Sequence, residues 1–187
     1  MPGSKNRVAI IGSQRIPFAR SFKEYARTSN QEMLTATINA LVDKYKLKGF
    51  VKTSGQTGLH VYVPCSGFTF EQTRVIAGRL ADEVHELTSD ISTRNESKEQ
   101  RGEKVYIDAG QNDYADTLAV PYSVRPYHEP TVSTPLEWKE LTKKLNRYDF
   151  TIDTMKERLK RKGDLFKALT ESKIREGNFK QLRSLLG

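Results

Sequence analysis

Lys52-Thr53-Ser54-Gly55-Gln56-Thr57-Gly58-Leu59-His60-Val61-Tyr62-Val63-Pro64 decides the fold: a polar turn with two glycines runs directly into an alternating, β-branched strand that a proline ends. Glycine lets backbone N–H groups come close to a ligand, and neighbouring hydroxyls add hydrogen bonds to phosphate oxygens. With the strand starting near Leu59, His60 and Tyr62 point to one face and Val61 and Val63 to the other. His60 then stands beside the turn as a third kind of donor. On residue types alone, the stretch fits either a phosphate cradle or a turn that binds nothing.

Upstream, Arg7-Val8-Ala9-Ile10-Ile11-Gly12 reads as a buried strand ending at glycine. Gly12-Ser13-Gln14-Arg15 lacks the second and third glycines of a pyrophosphate turn, which argues against a dinucleotide fold. Ser29-Asn30-Gln31-Glu32 offers an N-cap, and Met33, Ile38, Leu41, Val42 and Tyr45 form a helical stripe that stops near Gly49. Downstream, 68–87 reads as a helix capped by Thr69, with Val75, Ile76, Leu80, Val84 and Leu87 as its apolar face. The polar stretch 89–101 reads as a loop or weak strand, and Val105-Tyr106-Ile107-Asp108 as a short strand with a carboxylate at its end. Pro121 and Pro126 bracket an extended, edge-like segment, and 130–135 reads as a linker. Helices are expected over 136–145, 152–159 (capped by Thr151) and 164–169, with Trp138 and Phe150 as core aromatics. His85 and His128 are expected on the surface.

The chain of 187 residues is long enough for one ordinary domain, or one and a fragment. It has no run of 18 apolar residues and no signal-peptide pattern, so no membrane partner is expected. The lone Cys65 excludes an intrachain disulfide and suits a reducing, cytoplasmic location. The net charge of +8 is uneven. Residues 1–49 carry nine basic against three acidic side chains, 50–138 eight against thirteen, and 139–187 fourteen against seven. A basic C-terminal stretch suits contact with a phosphate backbone, and equally a solvated lysine-rich helix.

The turn-and-strand run, followed by Val105 to Asn112, Val120-Pro121-Tyr122-Ser123-Val124-Arg125-Pro126, Thr131 to Trp138 and Asp149-Phe150-Thr151-Ile152, resembles the polymerase domain of bacterial ATP-dependent DNA ligase D. That domain is a branch of the archaeo-eukaryotic primases. The resemblance covers about 50–169 and implies an α+β fold: the C-terminal half of a primase-like core, a mixed or antiparallel sheet with helices. It implies a nucleoside triphosphate held by Ser54, Gly55, His60 and Arg125, with Lys52 as added charge and Arg101 and Gln111 near the nucleotide and metal site. Asp108 matches a catalytic carboxylate that binds Mn²⁺ or Mg²⁺. Other implied partners are a DNA primer-template or DNA ends, a Ku-type protein and a ligase domain.

Primase-type sites supply three carboxylates, two of them from an Asp-x-Asp pair preceding the serine-glycine turn. No Asp-x-Asp occurs in this sequence. Residues 7–20 and 29–45 instead resemble the start of a thiolase, an acetyl-CoA acyltransferase, although Cys65 lies in the polymerase-like run rather than at a helix N-terminus. The expected organisation is a thiolase-like β-α head over 1–49, a partial polymerase/primase-like domain over 50–169 and a basic helical tail over 170–187, as a gene fusion would give. The expected function is the nucleotide-binding part of a template-directed nucleotidyltransferase of end-joining DNA repair, incomplete without the Asp-x-Asp pair, so that enzymatic activity of the chain alone stays open. The alternatives are a non-catalytic nucleic-acid-binding module, or an acyltransferase-derived fusion without activity.

Overall fold

Alternation along Gly58–Ser66 (β3) fills both faces of a sheet, and every residue from Gly58 to Cys65 is buried. The computed structural model describes residues 6–15, 30–102, 104–126, 130–142 and 144–186. Strands β1 (Asn6–Arg15), β2 (Phe50–Thr53), β3, β4 (Ser92–Thr93), β5 (Val105–Asp108) and β6 (Pro135–Leu136) form one mixed sheet in the order β4-β5-β1-β3-β2-β6. Only the β4/β5 pair is parallel. An α+β fold with a mixed sheet is therefore correct.

The N-terminal strand lies inside this sheet. Strand β1 pairs antiparallel with β3 along its whole length and with β5 at its end, so it joins two strands that would otherwise both be edges. It does not stop at Gly12. The register shifts between Ile10 and Gly12, a bulge, and pairing continues to Arg15 opposite Gly58. Nor does Pro64 end β3, which runs two residues further. Pro64 lies opposite Val8, beyond the last β2 partner, Tyr62. In extended backbone a residue's N and C=O point to the same side, so the missing N–H faces away from β1, where the Pro64 carbonyl accepts the Asn178 amide at 2.7 Å.

One face of the sheet is covered by helices α1 (Asn30–Lys44), α2 (Phe70–Leu87) and α5 (Ser172–Leu182). Leu41, Ile76, Leu80, Val84 and Leu182 pack there against Val63, Cys65, Val105 and Ile107. Helix α1 ends five residues before Gly49: Lys46 takes the left-handed conformation (φ 52°) and the Leu47 N–H closes back on the Val42 carbonyl at 2.8 Å. The expected Ser29 cap lies outside the described residues. Helix α2 is capped by Thr69 in a reciprocal pair with Gln72. Val75 and Leu87 are exposed; the buried ridge runs through Thr73, Ile76, Ala77, Leu80, Ala81 and Val84.

Three further expectations are corrected. The stretch 136–145 is no helix: Leu136 pairs with Val51 in β6, and a 3-10 turn over Trp138–Glu140 follows. Thr131–Thr134 is buried rather than a linker, because its hydroxyls and backbone bond to β2 and the turn after it. His85 is half-buried, 2.8 Å from the Ser92 hydroxyl, while His128 lies outside the described residues. The C-terminal tail is docked. Asn178 bonds both backbone groups of Lys48 as well as Pro64, and Leu182 is fully buried. Helix α4 (Ile152–Lys162), preceded by a Thr151/Thr154 capping box, closes the β6 side through Met155 and Arg158. Within 89–101 the structure has β4 and a short helix α3 (Lys98–Arg101).

A candidate anion-binding cleft on the open face of the sheet

Register alone aligns the site. Lys52 on β2 stands opposite His60 on β3, His60 opposite Ser13 on β1, and Ser13 opposite Asp108 on β5. This row crosses the sheet at the mouth of a cleft of about 360 Å³ lined by Ser54, Thr57, His60, Asp108, Gln111 and Arg125, with Thr117–Ala119 as its lip. Ser54, His60, Asp108, Gln111 and Arg125 were all singled out in the sequence, and the fold brings them together from β3, β5 and two connections, the β2–β3 turn and the long β5–β6 segment.

The turn is organised by its own serine. Ser54 Oγ accepts the N–H groups of Gln56 and Gly58, each at 3.1 Å, and the Ser54 N–H donates to the Gly58 carbonyl at 2.8 Å. The amides of Gly55 and Thr57 make no hydrogen bond among the described residues. Gly55 is required by geometry as well as by its φ of 71°. A Cβ there would lie 2.4 Å from Arg125 Cγ and 3.0 Å from the Ser133 nitrogen, so the arginine stem passes directly over the glycine. The Gly55 carbonyl is held by Thr131 Oγ1 at 2.7 Å. Arg125 is anchored by its own N–H to the Thr131 carbonyl (2.9 Å), and its Nε is buried with no partner among the described residues.

Lys52 does not line the cleft. It is fully buried beneath His60, donating to the Thr53 carbonyl (3.2 Å) and the Ser133 hydroxyl, with its Nζ 3.0 Å from His60 Nδ1. Burial, aided by the Arg125 charge, lowers the Lys52 pKa to about 7. Burial, then the Lys52 and Arg125 charges, lower that of His60 to about 3. His60 is therefore neutral at neutral pH. Where Lys52 is protonated, below about pH 7, its ammonium offers only hydrogens, so Nδ1 accepts and Nε2 carries the ring hydrogen as a donor.

Asp108 Oδ1 accepts the Gly110 N–H at 2.9 Å. Arg101 sits apart from the cleft, its guanidinium 3.8 Å above the Tyr106 ring and its Nε on the Asn95 carbonyl. Among the described residues no three His, Cys, Asp or Glu side chains form a group able to hold a metal ion, and β1 contains neither Asp nor Glu. Ser133 and Thr131 escaped sequence reasoning as parts of the site. Their only signal was membership of the Thr131–Trp138 run, since their contacts with Lys52 and Gly55 cross some 80 residues of chain.

The sequence and the fold have counterparts among known proteins. The family model for the LigD primase-polymerase domain matches residues 26–166, a span that takes in α1 as well as the cleft. The chain is 32% identical over 128 residues to the bifunctional non-homologous end joining protein LigD of Bacillus subtilis, covering 67% of this chain and 21% of that protein. It is 33% identical over 133 residues to the multifunctional LigD of Mycolicibacterium smegmatis, covering 71% and 17%. The solved polymerase domain of Mycobacterium tuberculosis ligase D, in complex with DNA, superposes with a TM-score of 0.74 at 27% identity, over 91% of this chain and 59% of that one. The chain thus spans about a fifth of the length of the curated relatives. With the match running through well over half of its residues, the chain belongs to the LigD primase-polymerase domain family.

Proposed function

We propose that this chain is the nucleotide-binding part of a template-directed nucleotidyltransferase of end-joining DNA repair, taking a nucleoside triphosphate in the cleft and DNA beside it. The observation that carries the reading is charge without a counter-charge. Lys52 and Arg125 converge on the glycine turn, neither has a carboxylate partner among the described residues, and a neutral His60 is held as a donor next to them. Such a site gains by accepting an oxyanion. Ser54, Gly55, His60, Gln111 and Arg125 would contact the triphosphate. Lys52 would act through His60 from beneath; Arg101, which stands apart from the cleft on the Tyr106 ring, is left out of the contact set. DNA, a Ku-type protein and a ligase domain are the partners this role would need, in the cytoplasm.

Family resemblance brings Mn²⁺ or Mg²⁺ with it, held by Asp108. The donor set described above does not fit a pair of such ions: among the described residues Asp108 is the single carboxylate lining the cleft, and one of its oxygens is engaged. Catalysis by the chain alone would need carboxylates from elsewhere. The gene-fusion reading is kept only for residues 1–25, ahead of the span that the family model matches, with β1 contributing a strand and no acyltransfer chemistry. Cys65, the one thiol, is wholly buried in β3.

The test is thermal stability with and without a nucleoside triphosphate plus Mn²⁺, for wild type and His60→Ala. Ligand at about 100 times its dissociation constant stabilises by roughly 2.7 kcal/mol, a shift of a few degrees. A shift lost in the variant supports the reading. An unshifted, cooperative melt of the wild type overturns it.

A further inference from the structure

The geometry points to a cleft that takes the triphosphate as a free polyanion, not as a chelate of divalent ions. This inference rests on the nucleotide reading above and specifies the form of the ligand.

Two sets of groups face each other across the β3 register. On the Lys52 side, among the described residues, Arg125 Nε is buried without a hydrogen bond, and the Lys52 Nζ has a carbonyl, a hydroxyl and a ring nitrogen around it but no carboxylate. On the Asp108 side, one carboxylate oxygen already takes the Gly110 N–H. The neighbouring register position is Ser13, on a strand without acidic residues, and the nearest imidazole has its Nδ1 turned to Lys52. Divalent ions of this kind need several oxygen ligands, which repay their dehydration. A triphosphate complexed with Mg²⁺ also carries less negative charge than the free anion. Below about pH 7, where Lys52 is charged, a site whose described residues supply two cations and one carboxylate therefore attracts the uncomplexed anion more strongly.

The sign of two effects tests this. Binding of a non-hydrolysable nucleoside triphosphate is measured by calorimetry in EDTA and in excess Mg²⁺ or Mn²⁺, for wild type and Asp108→Asn. The expected result is binding in EDTA at least as tight as with either metal. Asp108→Asn should tighten it about three- to tenfold, because a repelling charge is removed. A tenfold or greater loss of affinity in EDTA, or weaker binding by Asp108→Asn in the presence of metal, overturns the inference while leaving the nucleotide reading intact. No binding in any condition overturns the nucleotide reading, and this inference with it.

Discussion

The Lys52 ammonium lies 3.0 Å from Nδ1 of His60, fully buried, and no carboxylate partners it among the described residues. An arrangement of this kind is costly for folding and useful for binding, and the two consequences are separable.

Replacing Lys52 by methionine keeps the volume and removes the buried charge. Ser133 Oγ and the Thr53 carbonyl remain bonded to each other at 2.9 Å, which leaves His60 Nδ1 as the acceptor that loses its donor. The variant should be more stable by roughly 1–4 kcal/mol in denaturant melts. Its affinity for a triphosphate should fall about tenfold, some 1.4 kcal/mol. Loss of the Nε2–H tautomer of His60 should appear in ¹⁵N spectra of the ring.

Stability should depend on pH through these two groups. Lys52 drops from 10.5 unfolded to about 7 folded. Between those values the unfolded chain holds the extra proton, so stability rises with pH across that window and the penalty is complete below about 7. His60 drops from 6.5 to about 3, which gives a second rise between those values. Each group contributes a slope of at most about 1.4 kcal/mol per pH unit. Urea melts of wild type and Lys52→Met should diverge as pH falls from about 10 to about 7, and run parallel in the interval just below that.

Gly55→Ala places a methyl group against Arg125 Cγ and the Ser133 backbone at a φ of 71°. Strain alone costs about 1–3 kcal/mol. Arg125 must also swing off the turn, so triphosphate binding should be lost even at temperatures where circular dichroism reports a folded variant.

Arg158 and Glu140 form a two-pronged ion pair at 2.7 and 2.8 Å, and Arg158 also donates to the Pro135 carbonyl. Although burial pushes Glu140 upward, its bonds to Arg158 and the Glu137 backbone bring its pKa down to about 2. Glu140→Ala leaves a buried guanidinium unpaired and should cost about 3 kcal/mol at neutral pH. The wild-type advantage is present above the unfolded value of 4.5 and should fade as pH falls toward about 2.

The C-terminal helix belongs to the core. Asn178→Ala removes bonds to both backbone groups of Lys48 and to the carbonyl of Pro64. The expected cost is roughly 2–3 kcal/mol. Hydrogen exchange should show α5 and the end of β3 opening together; exchange confined to α5 would mean that the helix is not part of the same cooperative unit.

Much of this was legible in the sequence because it is local. The glycine turn, the alternation of His60 and Tyr62 against Val61 and Val63, the Thr69 and Thr151 caps and the Asp108 strand end are each set by neighbours a few residues away. Misreadings share a cause. Thr131–Thr134 looked like a linker because it is polar, yet its backbone and the Thr131 hydroxyl bond to Thr53 and Gly55, 76 to 81 residues distant in sequence. The stripe over 136–145 looked helical, but Leu136 is claimed by Val51 through strand pairing.

The sequence by itself determined which chemical groups exist, how the strands alternate and that no Asp-x-Asp pair is present. Tertiary structure alone decided that β1 would fill the gap between β3 and β5, that Lys52 would lie under His60 instead of lining the cleft, and that Arg125 would cross Gly55. Strand neighbours and burial are fixed by which distant surfaces exclude water from one another, and that information is spread over the whole chain.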